Sequence, residues 1–398
     1  MAIFPFVIAM CLAEVFGMLS FSTFQALIPT FAADWNLSNT EAGWIGGIYF
    51  AGYVGAVPVL SSLTDRIDPK KIILVSLAIG GGASLAYAFF AEGFWTALLF
   101  RALQGVGLAG TYMPGLKALS DRIEGPSQSR YVSFYTASFG IGAALSYVFA
   151  GAITPDFGWG WAFGVNALGA ALAAMVILVI LPWSSARETV EDRHLLDFRP
   201  VLRNRPAMSY ILAYCGHNWE LFGFRTWAVP FLVFALALHP GSGFGIDATL
   251  IAALVTLLGV PSSIIGNEMA VRFGRRRLIV AVMIASIALS LVIGASAGLS
   301  YGLAVALSLI YGLLLTGDSG AITAGAVASA AAGARGATLA MHATIGFMGG
   351  VVGPLCVGIV LDAAGGGTVL GWALAIAAMG AGSVAALAAI LFVGGRKN

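Results

Sequence analysis

Charge is what this sequence of 398 residues has least of. Asp, Glu, Lys and Arg make up 10% of it against 59% hydrophobic residues, and a soluble fold of this size needs far more charge to cover its surface. The net charge of +2 comes with no basic stripe outside the loops, which argues against nucleic acid as a partner. Cysteine is scarce too. Cys11, Cys215 and Cys356 each fall in an apolar run without metal-ligand spacing, and read as core or lipid-facing thiols rather than a disulfide framework or a metal centre. No nucleophile–base set and no phosphate-binding loop is present, so neither an enzyme nor an ATP-driven machine is expected, and no cofactor. The N-terminus lacks a basic n-region and a cleavage site, which makes its apolar stretch a first membrane span rather than a signal peptide.

What fills the chain is apolar runs long enough to cross a bilayer, about 20 residues each. Twelve are read, at 4–31, 42–63, 71–91, 95–118, 131–153, 161–182, 207–235, 248–270, 277–297, 302–325, 338–360 and 370–393. The long polar interruption at 184–206 divides them into two sets of six. The expected organisation is an all-α integral membrane fold with bundles at 1–183 and 207–398, joined by a linker at 184–206.

The basic residues alternate sides. Arg66, Lys70 and Lys71 follow span two, Lys117, Arg122 and Arg130 follow span four, and Arg187, Arg193, Arg199, Arg203 and Arg205 lie in the centre. Arg272 and Arg275 to Arg277 follow span eight, Arg335 follows span ten, and Arg396 and Lys397 end the chain. The opposite loops carry Asp34, Glu41, Asp156, Asp247 and Asp362. The positive-inside rule then predicts cytoplasmic termini in a cell (inner) membrane. Trp35, Trp44, Trp95, Trp159, Trp161 and Trp372 are expected at the outer interface and Trp183 at the inner one.

The second half repeats the first at an offset of 206 residues. Glu14-Val15-Phe16-Gly17 returns as Glu220-Leu221-Phe222-Gly223, Arg66 as Arg272, Lys70-Lys71 as Arg276-Arg277, and Asp156 as Asp362. Six spans return the chain to the same side, so the copies are parallel. Such repeats put a pseudo-twofold axis along the membrane normal and a site between the halves near the midplane.

The stretch Ser61-Ser62-Leu63-Thr64-Asp65-Arg66-Ile67-Asp68-Pro69-Lys70-Lys71 resembles the loop 2–3 signature of the major facilitator superfamily. Asn267 to Arg277, with Gly274-Arg275-Arg276, is its second-half version, and Arg101-Ala102-Leu103-Gln104-Gly105-Val106-Gly107 resembles the family's span-four motif. Ser61 and Asp68 stand where the signature has glycines, and Val271 where the repeat's acid would be, with Glu268 one turn earlier as a substitute. Span five lacks the family's Gly-Pro antiporter motif, whose nearest echo is Gly349 to Pro354 in span eleven. The resemblance implies alternating access by two six-helix halves around a central cavity lined by spans one, four, seven and ten. It assigns Asp65, Arg66, Lys70, Glu268, Arg272, Gly274, Arg275 and Arg276 to gating, as a latch between the halves.

Ionisable groups in a bilayer core are costly and mark function. Here they are Glu14 in span one, Arg101 in span four, His217, Glu220 and Arg225 in span seven, and Asp318 in span ten. At about 1.5 Å rise per residue, Glu14 and Glu220 fall near the midplane, and Arg101 and Arg225 at one level in the outer half. The two arginines suit an anionic substrate group. Arg101 has two other readings: it neutralises Glu14, or it caps backbone carbonyls of span one. Glu14, Glu220 and Asp318 are candidate proton carriers, and His217, on the same helix face as Glu220, is a candidate substrate or relay group. Asp318, in a Gly-rich segment, alternatively coordinates broken backbone. His342 reads as a satisfied core histidine. Trp219, Trp227, Phe24, Gln25, Tyr112 and Asn166 rank lower as cavity residues.

The function expected is proton-coupled secondary transport of a small organic solute, tilted toward anions. The alternatives are efflux of neutral or cationic compounds held by the three carboxylates and, remotely, a non-transporting membrane sensor. The expected partners are a small-molecule substrate, protons or another coupling ion, and the bilayer, with the chain acting as a monomer.

Overall fold

The computed structural model describes residues 3–64, 66–123, 128–183, 198–331 and 334–394. Asp65, Arg187, Arg193, Arg396, Lys397 and most of the proposed linker, 184–197, lie outside the described residues. Eleven described helices are long and apolar enough to cross a membrane. The helix read as span four, Phe94–Ser120, is 27 residues long and carries Arg101, Gln104 and Lys117. Large apolar side chains such as Phe89, Leu168, Val179, Leu291 and Phe392 lie exposed on the outside, a surface suited to lipid and not to water. The protein is a multi-pass membrane protein with two pseudo-symmetric six-helix bundles.

The spans mostly run longer than the apolar runs predict, because polar caps extend them. Span two, Asn39–Leu63, begins on a capping box in which Ser38 and Glu41 satisfy each other's backbone amides, pairing two of the four N–H groups every helix start leaves open. Span three, Pro69–Phe90, is capped by Asp68 and enters through proline. Span ten begins on the Ser300 cap and span twelve on Thr368.

Two spans are broken, and span twelve, Val369–Ala388, passes into a π-helical turn at Ala389–Val393. Span one, expected as one helix over 4–31, runs Ile3–Gly17, tightens into a 3-10 turn at Met18–Ser20, and resumes as Thr23–Ala26 and Ile28–Trp35. Span ten stops at Gly317 and restarts at Ser319, with Asp318 between. Broken backbone at membrane depth persists only where protein groups satisfy it. The remaining spans are Gln128–Phe157, Trp159–Ile180, Arg205–Leu238, Ala248–Phe273, Arg275–Ser296 and Arg335–Ala363.

Trp35, Trp44, Trp95, Trp159, Trp161 and Trp372 all stand near helix ends on the side away from the termini, with differing exposure. Trp44, Trp95 and Trp161 are exposed there, and Trp183 on the side of the termini. Trp35 instead stacks on Phe31, Trp159 packs against Phe31 and Tyr87, and Trp372 is buried against Phe231 and Trp227.

The halves meet on the side away from the termini. Span two lies along span eleven so closely that a Cβ on Gly47 would fall 2.6 Å from the Val351 carbonyl oxygen, and one on Gly358 2.2 Å from that of Asn39. Span five lies along span eight, with Gly151 against Thr249 and Gly140 against Val260. At the rim, Asp362 of span eleven accepts from the Asn39 and Thr40 amides at 3.1 and 2.8 Å and from the Asn39 side chain at 2.8 Å. One half thus places a carboxylate on the first turn of a helix of the other, where the helix dipole favours it.

Deeper in, a plug of rings crosses the interface. Phe50 contacts Phe222 at 4.2 Å between centroids, Phe21 contacts Phe222 at 6.1 Å, and Tyr53 contacts Phe347 at 4.6 Å. Nearer the termini, no hydrogen bond, ion pair or ring contact joins the halves among the described residues. There Ile8 and Leu12, on the side of span one away from Glu14, are 43% and 46% exposed. Among the described residues, the hydrogen bonds and ring contacts between the halves lie at the rim and in the ring plug, on the side away from the termini.

Candidate transport site

The two acidic twins do not face each other across the cavity. Each is buried and turned into its own half. Glu14 accepts a hydrogen bond from the Tyr135 hydroxyl of span five at 2.9 Å through Oε2, while its Oε1 has no partner among the described residues. It borders a recess of about 10 Å³ walled by spans one, three, four, five and six, close to the room one water needs. Glu220 accepts from Ser286 at 2.9 Å and from the hydroxyls of Tyr311 and Ser383, one each from spans nine, ten and twelve. A helix in a bundle turns its costly polar groups toward the neighbours that can satisfy them.

Arg101 is fully buried, at 0% exposure, and no ion pair joins it to Glu14 among the described residues. Its guanidinium donates to the carbonyl oxygens of Ser20 at 3.1 Å and Phe21 at 3.4 Å, and to the side-chain oxygens of Gln104 at 2.9 Å and Gln25 at 3.5 Å. It also lies 4.3 Å over the Tyr49 ring. Those carbonyls belong to the break in span one, which other half-mates complete. Ser146 accepts from the Ser22 amide at 2.9 Å. Asn166, in the amide orientation that satisfies both of its ends, donates to the Leu19 carbonyl at 2.7 Å. Of the readings open for Arg101, capping is the one its contacts occupy in this conformation.

His217 does not share its proton site with Glu220. Its Nδ1 lies 2.9 Å from Asp318 Oδ1, both groups buried. The pair joins span seven to the break in span ten, whose Gly317 carbonyl packs so tightly on Gly266 of span eight that a Cβ there would fall 1.7 Å from it. His342, expected as a satisfied core histidine, is buried and belongs to the same group. It stacks on Tyr214 at 4.1 Å, Tyr214 stacks on His217 at 5.6 Å, and Thr323 lies 3.1 Å from His342 Nε2. A stack of rings from two helices cannot be read from one helix's spacing.

Arg225 is half-buried on span seven, and its backbone carbonyl accepts from the Tyr147 hydroxyl of the other half. No carboxylate pairs with its guanidinium among the described residues. Of the lower-ranked residues, Trp227 donates to the Pro354 carbonyl at 2.9 Å, Phe24 stacks on Phe31, and Tyr112 stacks on Tyr135. Gln25 and Asn166 serve the break as described, while the Trp219 indole nitrogen has no partner among the described residues.

Two of the gating candidates, Lys70 and Arg276, bond within their own halves. Lys70 donates to the Leu178 carbonyl at the end of span six at 2.8 Å, under Trp183. Its repeat twin Arg276 donates to the Leu391 carbonyl at the end of span twelve at 3.3 Å. Both cap open carbonyls at a helix C-terminus. Arg66, Glu268 and Arg272 are exposed, Arg275 is half-buried, and Gly274 takes a φ of 96° at the turn between spans eight and nine, a conformation that suits glycine. Sequence reasoning missed Tyr135, Ser286, Tyr311, Ser383, Tyr147 and Asn218. Only Asn218 carried a signal of its own, as an amide inside an apolar span.

The family model described as Major Facilitator Superfamily matches residues 10–354. The chain belongs to this superfamily of membrane transporters. It is 28% identical over 227 residues to protein spinster homolog 1 of Xenopus tropicalis, covering 54% of this chain and 41% of that one. It is 27% identical over 188 residues to the niacin transporter NiaP of Acinetobacter baylyi, covering 46% and 43%. The matches thus span less than half the length of these curated relatives. Among solved structures, a bacterial homolog of the human lysosomal transporter Spinster, inward-facing and unoccupied, superposes with a TM-score of 0.77 at 15% identity, covering 98% of this chain and 96% of that one. That likeness is one of fold.

Proposed function

We propose that the protein is a proton-coupled secondary transporter of a small organic solute, by preference an organic anion, working by alternating access. The observation that carries this reading is Arg225, a permanent cation at membrane depth with no carboxylate partner among the described residues. It stands on the helix face that meets the other half, where its backbone carbonyl accepts from Tyr147. Arg101 spends its donors on the backbone of span one, so the clamp expected from two arginines narrows to one. An anion transported by a relative, niacin in the case of NiaP, fits this chemistry.

Glu14 is the proton carrier in this reading, with one hydroxyl partner, one open oxygen and a water-sized recess beside it. Glu220 and the His217–Asp318 pair hold the second half together. The side of the termini faces the cytoplasm of a cell whose inner membrane holds the protein. Residues 1–183 and 207–398 move as the two halves about the 184–206 linker. When the halves meet on that side, Asp65, Arg66, Glu268, Arg272 and Arg275 latch it. The substrate, protons and lipid are the partners, and a monomer suffices.

Uptake into proteoliposomes tests both parts. Arg225→Gln is expected to lower uptake of small carboxylates more than tenfold, and unchanged uptake overturns the anion reading. Glu14→Gln is expected to abolish the response to an imposed pH gradient while exchange continues. A retained pH drive removes Glu14 as the carrier. Transport of amines in place of acids would favour the efflux alternative, in which Glu14 holds a cation.

A further inference from the structure

We propose that Tyr135 of span five is a positioning residue that passes the protonation state of Glu14 to the contact between the halves, its hydroxyl switching between span one and span four. The inference rests on Glu14 as the proton carrier and adds how that proton is felt elsewhere in the protein.

The hydroxyl has two acceptors and one hydrogen. It lies 2.9 Å from Glu14 Oε2 and 3.3 Å from the Tyr112 carbonyl oxygen, and a phenol donates one bond at a time. While Glu14 is ionised, the charge-assisted bond to its carboxylate is the stronger, and Tyr135 holds span one. Once Oε2 takes a proton, the carboxyl becomes the donor and the Tyr135 oxygen its acceptor. Tyr135 then turns its own hydrogen to the Tyr112 carbonyl and holds span four. The proton stays on Glu14, and what changes is the helix that Tyr135 grips.

The space for this is built in. A Cβ on Gly115 of span four would fall 2.2 Å from the Tyr135 hydroxyl, so glycine is what lets the phenol reach between the two helices. The second half has no counterpart. At 206 residues after Tyr135 and Gly115 stand Met341 and Ala321. The switch thus accompanies the acid with an open oxygen and is missing beside Glu220, whose oxygens are taken by hydroxyls.

A contiguous row of rings leads from the switch to the other half. Tyr135 stacks on Tyr112 at 6.0 Å between centroids, and Tyr112 packs edge-on against Phe139 at 5.3 Å. Phe139 meets Phe21 at 5.0 Å, and Phe21 meets Phe222 of the second half at 6.1 Å. Packed interiors transmit displacements because they have few voids to absorb them. Phe21 stands in the break of span one, between its 3-10 turn and the next helical piece, where no continuous helical ladder fixes it.

The other titratable groups near Glu14 are Cys11 on its own helix, Tyr49 and Tyr53 on span two and Tyr112 on span four. All are thiols or phenols, neutral in the physiological range. Spans three and six offer it Ile73, Leu77 and Ile177, and Arg101 of span four is turned to the break in span one. The Glu14 carboxyl therefore sets the switch by itself.

The test follows two signals in the full chain with Cys11, Cys215 and Cys356 replaced by serine. One is the carboxyl band of Glu14 in infrared difference spectra. The other is the distance between spin labels on Lys71→Cys and Arg277→Cys, exposed repeat twins on the terminal side of each half. On going from about pH 8 to about pH 5, the band is expected to appear and the ratio of near to far distances to change about fivefold. Glu14→Gln is expected to abolish both. Tyr135→Phe keeps the ring and removes the hydroxyl: the band is expected to persist, at the higher frequency of a carboxyl without its phenol partner, while the distances stop responding. Tyr135→Met, the residue of the second half, is expected to do the same and serves if phenylalanine disturbs folding. Distances that follow pH in both Tyr135 variants, or that ignore pH in the wild type while the band titrates, overturn the switch and leave Glu14 as the carrier. A wild type without a titrating band that Glu14→Gln removes overturns both.

Discussion

Glu14 and Glu220 stand at equivalent positions of a repeat, and the two halves treat them differently. In the first half the carboxylate keeps one oxygen open beside a water-sized recess. In the second, hydroxyls from three helices close around it. The partners account for the difference, because 206 residues before Ser286, Tyr311 and Ser383 stand Gly80, Gly105 and Ile177, which offer no hydroxyl. Duplication preserved the acid and not its surroundings. A carboxylate with open valence can exchange a proton, whereas one that holds three helices together acts as a pin.

The helix breaks follow the same division. Span one breaks at 18–27, while its twin, span seven, is one helix of 34 residues. Span ten breaks at Asp318, while its twin, span four, is one helix of 27. Each break has a charge where the unbroken twin has none: Arg101 against Leu307 beside span one, and Asp318 against Tyr112 in span ten itself. Opened backbone in a membrane needs donors and acceptors, and an intact helix does not. Arg101 is thus accounted for by the break whose carbonyls it caps, Asp318 stands in its own break and pairs with His217, and Arg225 lies at neither break.

The comparison of the two acids can be broken by substituting each in turn. Glu220→Ala leaves three buried hydroxyls without their acceptor and is expected to cost about 3 kcal/mol or more. Glu14→Gln is expected to change stability by no more than about 1 kcal/mol, and thermal unfolding in detergent compares them. Equal losses would remove the distinction between pin and carrier. Next in size, Arg101→Leu gives span four the residue of its twin and strips the Ser20 and Phe21 carbonyls, at about 2–3 kcal/mol. Arg101→Lys is expected to recover only part of this, since an ammonium lacks the fork that reaches both carbonyls.

Gly47→Val forces span two off span eleven at their closest approach. Faster hydrogen exchange over 39–47 is expected, with little change within either half. The smallest effect belongs to the rim. Asp362→Ala removes the carboxylate from the first turn of span two and is expected to weaken the rim contact by about 1 kcal/mol, read as a rise in the fraction labelled from that side.

The architecture was legible because the bilayer imposes long apolar runs and a charge rule that act on sequence directly. Twelve spans, two halves and the offset between them followed from that, as did the list of intramembrane charges. The site was legible only as a list. That Arg101 reaches the backbone of span one was open among three readings, and no pattern within span one announced the break at Gly17 to Leu27. His217 and Glu220 share a helix face in spacing, yet different neighbours claim them, since Asp318 and Tyr311 both come from span ten, about a hundred residues away.

What the sequence by itself determined is therefore where the chain crosses the membrane, where the repeat lies and which polar groups are carried into lipid, because hydropathy and charge are local costs set residue by residue. What only the tertiary structure decided is which of those groups are satisfied. Pairing depends on the atoms that other helices bring within 3 Å, and a repeat that keeps an acid while changing its neighbours gives the same residue two different tasks.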